Sequence, residues 1–238
     1  MSGLRVVALE TSGAIGSVCL VEGENILAER SFARGLEHGR MLVAVLREAC
    51  ISVGWQPRRD VQLVAVSQGP GSFTGLRVGI AAAKTIAFVV GCPIVGVSSL
   101  EVLVANAPVV GARACAILDA KRGQVYAALF AYRAGAWARE TEDLLITPRA
   151  LLERIGPPAY LVGDGLRAYP EAFSAPGYTC APASDWVGRA SVVARLGLRG
   201  FAAGRMTSWR ELTPIYHRPP EAEEKLLRRE GLAAKPPA

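Results

Sequence analysis

Histidine is almost missing from this chain of 238 residues: only His38 and His217 occur, far apart. There is no H-E-x-x-H run, no C-x-x-C and no mixed His/Cys cluster, so a zinc centre would need carboxylates converging from distant segments. Serine-hydrolase chemistry is excluded on similar grounds. No G-x-S-x-G elbow exists, and a triad would have to recruit one of those two isolated histidines. Cysteine is also scarce. Cys19, Cys50, Cys92, Cys115 and Cys180 are odd in number and widely spaced, which reads as reduced, mostly buried thiols in a cytoplasmic protein. No apolar run reaches the roughly 18 uninterrupted residues of a membrane span, because the longest, 80–92, is broken by Lys84. The opening M-S-G-L-R-V-V-A-L-E-T-S runs straight into a strand-like stretch, so no signal peptide is expected. What is present is apolar: 51% of residues are hydrophobic and 20% charged, enough for one large domain or two smaller ones. A net charge of +6 suits a phosphate-bearing or nucleic-acid partner, or simply a soluble surface.

Residues 4–9, 16–21 and 26–32 read as three short strands, the last two forming a hairpin across Glu22-Gly-Glu-Asn25. From Leu36 to Val53 the period becomes helical, with Met41, Leu42, Val45, Leu46, Ala49 and Val53 on one face. Strand 63–67, a glycine-rich turn, a helix from Thr74 to about Val90 and strand 93–97 complete a β-β-β-α-β-α-β order. That order predicts a mixed sheet whose later strands are parallel. Segments 114–118 and 124–132 form a second hairpin, with 137–146 as its third strand. A short helix over 148–155 and a strand over 160–162 follow, and a last helix runs from Ser184 or Asp185 to about Gly204. From Thr213 the chain mixes proline with charge and is expected to fray or await a partner. Each half opens with a hairpin, which suggests two related lobes.

The most distinctive segment is Gln68-Gly-Pro-Gly-Ser-Phe-Thr-Gly-Leu-Arg-Val-Gly79, at a strand end leading into a helix. It is neither a Walker A loop nor a dinucleotide fingerprint, since Thr74 stands where the third glycine would be. Two readings stay open: an anion held by the helix start, or a tight turn that docks its own helix. Gly163-Asp-Gly-Leu-Arg-Ala168 matches G-x-G-x-x-A, but Tyr169-Pro170 cuts off the helix a Rossmann unit needs. Along helix 74–90, Gly75, Gly79, Ala83 and Ala87 make a small-residue stripe, and Arg77 and Lys84 a narrow polar line. A helix apolar around most of its circumference must be covered twice, by the chain's own second lobe or by another subunit. Glu10, Thr11 and Ser12 place a carboxylate and two hydroxyls at a strand end. That arrangement suits either a phosphate with hydrated Mg²⁺ or ordinary turn chemistry.

Taken together, the E-T-S strand, G-P-G-S-F-T-G-L-R-V-G (69–79), Leu118-Asp-Ala-Lys-Arg-Gly-Gln-Val-Tyr126 and Pro214-Ile-Tyr-His-Arg-Pro-Pro220 resemble the TsaB family. These proteins are partner subunits of the bacterial machinery that makes threonylcarbamoyladenosine in tRNA. The resemblance implies an α/β, two-lobed actin-like (ASKHA) fold with mixed sheets flanked by helices. It divides the chain into an N-terminal lobe (1–100), a C-terminal lobe (101–184), a helix returning to the first lobe (185–210) and a Pro/charge-rich tail (211–238). TsaD, the metal-binding transferase of the same machinery, carries an H-x-x-x-H pair where this chain has His38 and Leu42. A non-catalytic scaffold is therefore implied, with no catalytic and no metal residues of its own. By resemblance, Met41, Leu42, Val45, Leu46, Gly75, Val78, Gly79, Ala82, Ala83 and Ile86 form the surface for TsaD, or for a second copy in a homodimer. TsaE and tRNA join the assembly, with Arg77, Lys121 and Arg122 helping tRNA approach. Glu10, Thr11, Ser12, Gly69, Gly71, Ser72 and Asp119 are the candidate nucleotide or anion contacts, with ATP or ADP and Mg²⁺ at a subunit junction. The competing readings are a small-molecule kinase or ATPase on the same fold, built on Glu10 and Asp119, and a metallopeptidase-like relative.

Overall fold

A computed structural model describes residues 3–33, 38–108 and 113–217. The side chain of His38 and residues 218–238 of the tail lie outside the described residues. The chain begins with β1 (Arg5–Glu10), β2 (Ile15–Glu22) and β3 (Asn25–Ala33), followed by α1 (His38–Ser52) and the single turn α2 (Pro57–Asp60). Then come β4 (Leu63–Gly69), α3 (Phe73–Val90), β5 (Ile94–Ser98) and α4 (Ser99–Val104). The five strands form one sheet in the order β3-β2-β1-β4-β5, antiparallel across the first three and parallel from β1 to β4 to β5.

The second half contains β6 (Arg113–Asp119), β7 (Val125–Arg133), β8 (Ala136–Arg139), β9 (Leu144–Ile146), α5 (Pro148–Ile155), β10 (Ala159–Val162), α6 (Gly165–Ala168) and β11 (Tyr178–Cys180). Its strand path, β8-β7-β6-β10-β11, repeats the first sheet's arrangement of three antiparallel strands followed by two parallel ones. The fold is α/β, with two mixed sheets flanked by helices.

Strand alternation sorts the core into layers. Val7, Leu9, Val18, Leu20, Val64 and Val66 face α1 and α3. Their neighbours Val6, Ala8, Cys19, Val21, Leu63 and Ala65 face α7 (Ala190–Ala202) on the opposite side. α7 lies close to the sheet because Gly197 and Gly200 carry no side chain. A Cβ on them would meet Ala65 Cβ at 2.5 Å and Val95 Cγ1 at 2.8 Å. Leu100, Leu103 and Val104 of α4 cover one face of the second sheet, and α5 and α6 cover the other.

Two expected elements differ. The last helix does not start at Ser184 or Asp185. Those residues form a 3-10 turn (Ala183–Asp185), and Asn106 Nδ2 donates to the carbonyls of Asp185 (3.0 Å) and Val187 (2.8 Å). This clamp keeps the segment out of a helix until Ala190, whose N–H donates to Ser17 Oγ. The expected single strand over 137–146 is two, β8 and β9. The chain breaks between them where Glu140 N donates to Leu129 O and Thr141 Oγ1 accepts from Leu129 N.

Candidate functional site

The small-residue stripe of α3 faces inward. Ser72 caps the helix by accepting from Gly75 N at 3.2 Å. Gly75, Gly79, Ala83 and Ala87 are all buried. A Cβ on Gly75 would collide with the Thr11 carbonyl oxygen, and one on Gly79 with Thr11 Oγ1. The glycines are thus spent on bringing α3 against the end of β1. Leu42 and Val45 of α1 are likewise buried in the chain's own core. For these five expected interface residues (Leu42, Val45, Gly75, Gly79 and Ala83) the structure brings a correction: they cannot touch a partner without the core opening.

What the two helices expose is a different set. Met41, Val43 and Ile51 stand out on α1, the last two 62% and 68% exposed. On α3, Phe88 is 62% exposed and Val89 46%. Leu46, Val78, Ala82 and Ile86 are half-buried between these outer residues and the core below. Phe88 leans edge-on to Trp209, whose other neighbour is the Arg210 guanidinium. α1 and α3 share one core on one side of the first sheet, and their outer faces carry these exposed apolar side chains among Arg47, Glu48, Arg77 and Thr85. With a mean hydropathy of 1.5, α3 is also long and apolar enough to cross a membrane by length and composition; the Arg77–Lys84 polar line does not prevent this. Sequence periodicity located the two helices. It could not tell which apolar stripe faced the sheet, because both sides of α3 are apolar.

The candidate anion residues separate into two places. Glu10, Thr11, Ser12, Gly71 and Ser72 come together at the end of β1. Ser12 N and Oγ both donate to Glu10 Oε1 at 2.6 Å, and Ser72 N donates to Ser12 O at 2.8 Å. A Cβ on Gly71 would lie 2.6 Å from Ser12 O. Gly69 instead lies under the C-terminal segment, 2.7 Å from Ile215 O by the same measure. The loop therefore holds its own chain, and the tight-turn reading accounts for its glycines. Glu10 is 1% exposed and, among the described residues, its Oε2 has no hydrogen-bond partner; burial raises its pKa, although the Ser12 hydrogen bonds pull the other way.

Asp119 sits apart at the end of the second sheet. It accepts from Lys121 N at 2.8 Å and pairs with Lys121 Nζ at 2.6 Å, in a turn where Lys121 and Arg122 both have positive φ. Its N–H donates to Asp164, whose pKa is raised by burial and by the Asp119 charge. These groups do not fit a magnesium nucleotide. One carboxyl is sealed beside Gly188 in surroundings that favour its neutral form, and the other is already paired with a lysine. Among the described residues, no three His, Cys, Asp or Glu side chains cluster as metal ligands would.

Sequence reasoning missed the role of residues 212–217. This segment crosses the glycine loop like a strap. Gln68 Nε2 donates to Thr213 O at 2.7 Å and Ile215 N to Gln68 O at 2.8 Å. Arg77 lies over the Phe73 ring at 3.9 Å and donates to Tyr216 Oη at 3.1 Å. His217 Nε2 then reaches Asp143 Oδ2 of the second lobe at 2.9 Å. Burial pushes the Asp143 pKa up, but the His217 hydrogen bond and Arg139 outweigh it and hold the carboxyl below its usual range. Arg77 and Lys121, expected to meet tRNA, are thus engaged within the chain.

A family model described as TsaD, tRNA N6-adenosine threonylcarbamoyltransferase, matches residues 33–177. The tRNA threonylcarbamoyladenosine biosynthesis protein TsaB of Escherichia coli K12 is 26% identical over 229 residues, covering 94% of this chain and 98% of that protein. TsaB of Bacillus subtilis 168 is 31% identical over 140 residues, 59% of this chain and 61% of the relative. Among solved structures, YeaZ from Pseudomonas aeruginosa superposes with a TM-score of 0.78 at 22% identity, covering 90% of this chain and 99% of that one, a likeness of fold. The chain belongs to the family of that threonylcarbamoyltransferase model and, within it, to the TsaB proteins.

Proposed function

We propose that this chain is a cytoplasmic scaffold subunit in tRNA threonylcarbamoyladenosine biosynthesis and that it performs no group transfer itself. It grips a TsaD-like subunit through the outer faces of α1 and α3. TsaE and tRNA join the resulting assembly, and a second copy of the chain takes the same face when TsaD is absent. The observation that carries this reading is the exposed apolar surface of Met41, Val43, Ile51, Phe88 and Val89, on two helices whose inner faces are already satisfied. Several large apolar side chains left exposed on neighbouring helices mark a protein contact. A kinase or metallopeptidase reading lacks comparable support. Glu10 and Asp119 stand at different places in the fold and do not pair as two carboxylates would, and the glycine loop is filled by Thr11 and Ser12.

The test is size-exclusion chromatography with purified TsaD. Wild-type chain should co-elute, and Val43→Glu combined with Phe88→Glu should not, while melting as wild type does. Val78 is a useful third position because it is only half-buried. Ala83 is not, because a charge there would unfold the core. Co-elution of the double variant at wild-type strength would remove the proposal.

A further inference from the structure

α7 carries a charged ridge on its exposed side that neither the core nor the α1–α3 surface uses. Arg195 and Arg199 stand one helical turn apart, both exposed, and among the described residues neither has a carboxylate partner. Arg5, Arg113, Arg133, Arg139 and Arg149, by comparison, each pair with an acid, and what sets Arg195 and Arg199 apart from the remaining arginines is that both line the same two clefts. One, of about 710 Å³, runs between α7 and the β2–β3 hairpin, over Leu4, Val21, Ile26 and Leu198, with Glu24 at its edge. The other, of about 210 Å³, lies between α7, α4 and the β7–β8 hairpin.

The smaller cleft holds an aromatic pair from the two strands of the β7–β8 hairpin. Tyr132 and Trp137 are cross-strand partners in the β7–β8 register, with ring centroids 5.3 Å apart and planes at 73°. Both are half-buried, so part of each ring remains open to the cleft. The acid in that cleft, Glu101, is paired with Arg139. Two unneutralised guanidiniums beside an open aromatic surface match the alternation of phosphate and base along an unpaired nucleic-acid strand. A lipid interface would draw on protruding aromatic rings, whereas these two are half-buried within a cleft.

We propose that the Arg195–Arg199 ridge, with Trp137 and Tyr132 beside it, docks a single-stranded stretch of RNA. A phosphodiester is held between the two guanidiniums, and a neighbouring base lies against Trp137 in the smaller cleft. This deepens the scaffold reading by giving the RNA of the assembly a place on this chain, and it rests on that reading for the choice of RNA.

The experiment is fluorescence anisotropy of a short labelled oligouridylate with the full chain alone, over a series of salt concentrations. Arg195→Ala with Arg199→Ala should weaken binding about tenfold or more and lower the salt slope by about 0.7, the value for one lost single-strand phosphate contact. Trp137→Ala should weaken oligouridylate about fivefold or more while leaving inorganic polyphosphate binding unchanged, and Trp137→Phe should restore it. Thermal melting checks that each variant is folded. Unaltered affinity and slope in the double-arginine variant overturn the proposal. So does a Trp137→Ala variant that loses polyphosphate as readily as RNA, or a wild type that binds phosphatidylserine vesicles but not oligouridylate. The scaffold reading fails separately, if TsaD does not co-elute while RNA binding by the ridge persists.

Discussion

Glu10 is the residue whose environment departs most from its sequence expectation. As part of E-T-S it promised an ionised carboxylate, yet it is sealed between Ser12 and Gly188, one oxygen without a hydrogen bond among the described residues. Its folded pKa lies above the unfolded one, so the folded state holds the proton more tightly. Stability is therefore fullest below the ordinary carboxylate range and falls as pH rises through the folded pKa. Glu10→Gln should raise the melting temperature at neutral pH, and the gain should vanish in acid; an equal gain at every pH would contradict this. The cysteines offer a second residue-scale prediction. Burial pushes the Cys19 and Cys115 thiols up to about 12; it raises the Cys180 thiol too, but that side chain is exposed. A maleimide at neutral pH should label Cys180 quickly, with Cys19 and Cys115 reacting only after denaturation, as peptide mass mapping would reveal.

At the scale of elements, α3 and the strap decide how the N-terminal lobe is closed. Because the obstacle to a Cβ at Gly75 is a backbone carbonyl, it cannot swing aside as a side chain could. Gly75→Ala should cost about 1–3 kcal/mol in urea unfolding by forcing α3 away from β1. The strap is tied to the second lobe by Asp143, whose lowered pKa means its contribution is present at neutral pH. That contribution disappears as pH falls through the folded value, below the ordinary carboxylate range. Asp143→Asn should cost about 1 kcal/mol at neutral pH and nothing in strong acid. Chemical denaturation at both pH values would measure this. Neither element was fully legible in one dimension. The glycine spacing announced a close approach without saying to what, and Pro214-Ile-Tyr-His217 gave no sign that its partners were Gln68, Arg77 and Asp143.

For the molecule as a whole, the repeated strand order of the two sheets explains how one chain makes two lobes without a residue-level repeat. Strand order depends on where apolar runs and turns fall, and many sequences satisfy the same pattern. The outer α1–α3 face is a property at this scale too. Sedimentation velocity should show concentration-dependent self-association of the wild-type chain, shifted to monomer by Val43→Glu with Phe88→Glu. Both sites are exposed, so folding should change by only about 0.5 kcal/mol.

Sequence alone determined the order of the main strands and helices of the first half, the parallel later strands of its sheet and, through several short motifs in order, the family. Each depends on local periodicity or on residues close in the chain. Tertiary structure alone decided which side of α3 is spent on the core, that Glu10 is sealed rather than displayed, and that Trp137 and Tyr132 lie beside the arginines of α7. Those outcomes depend on what lies across a contact from a residue, and the contacts join segments more than a hundred positions apart, 173 for Ala190 N and Ser17 Oγ.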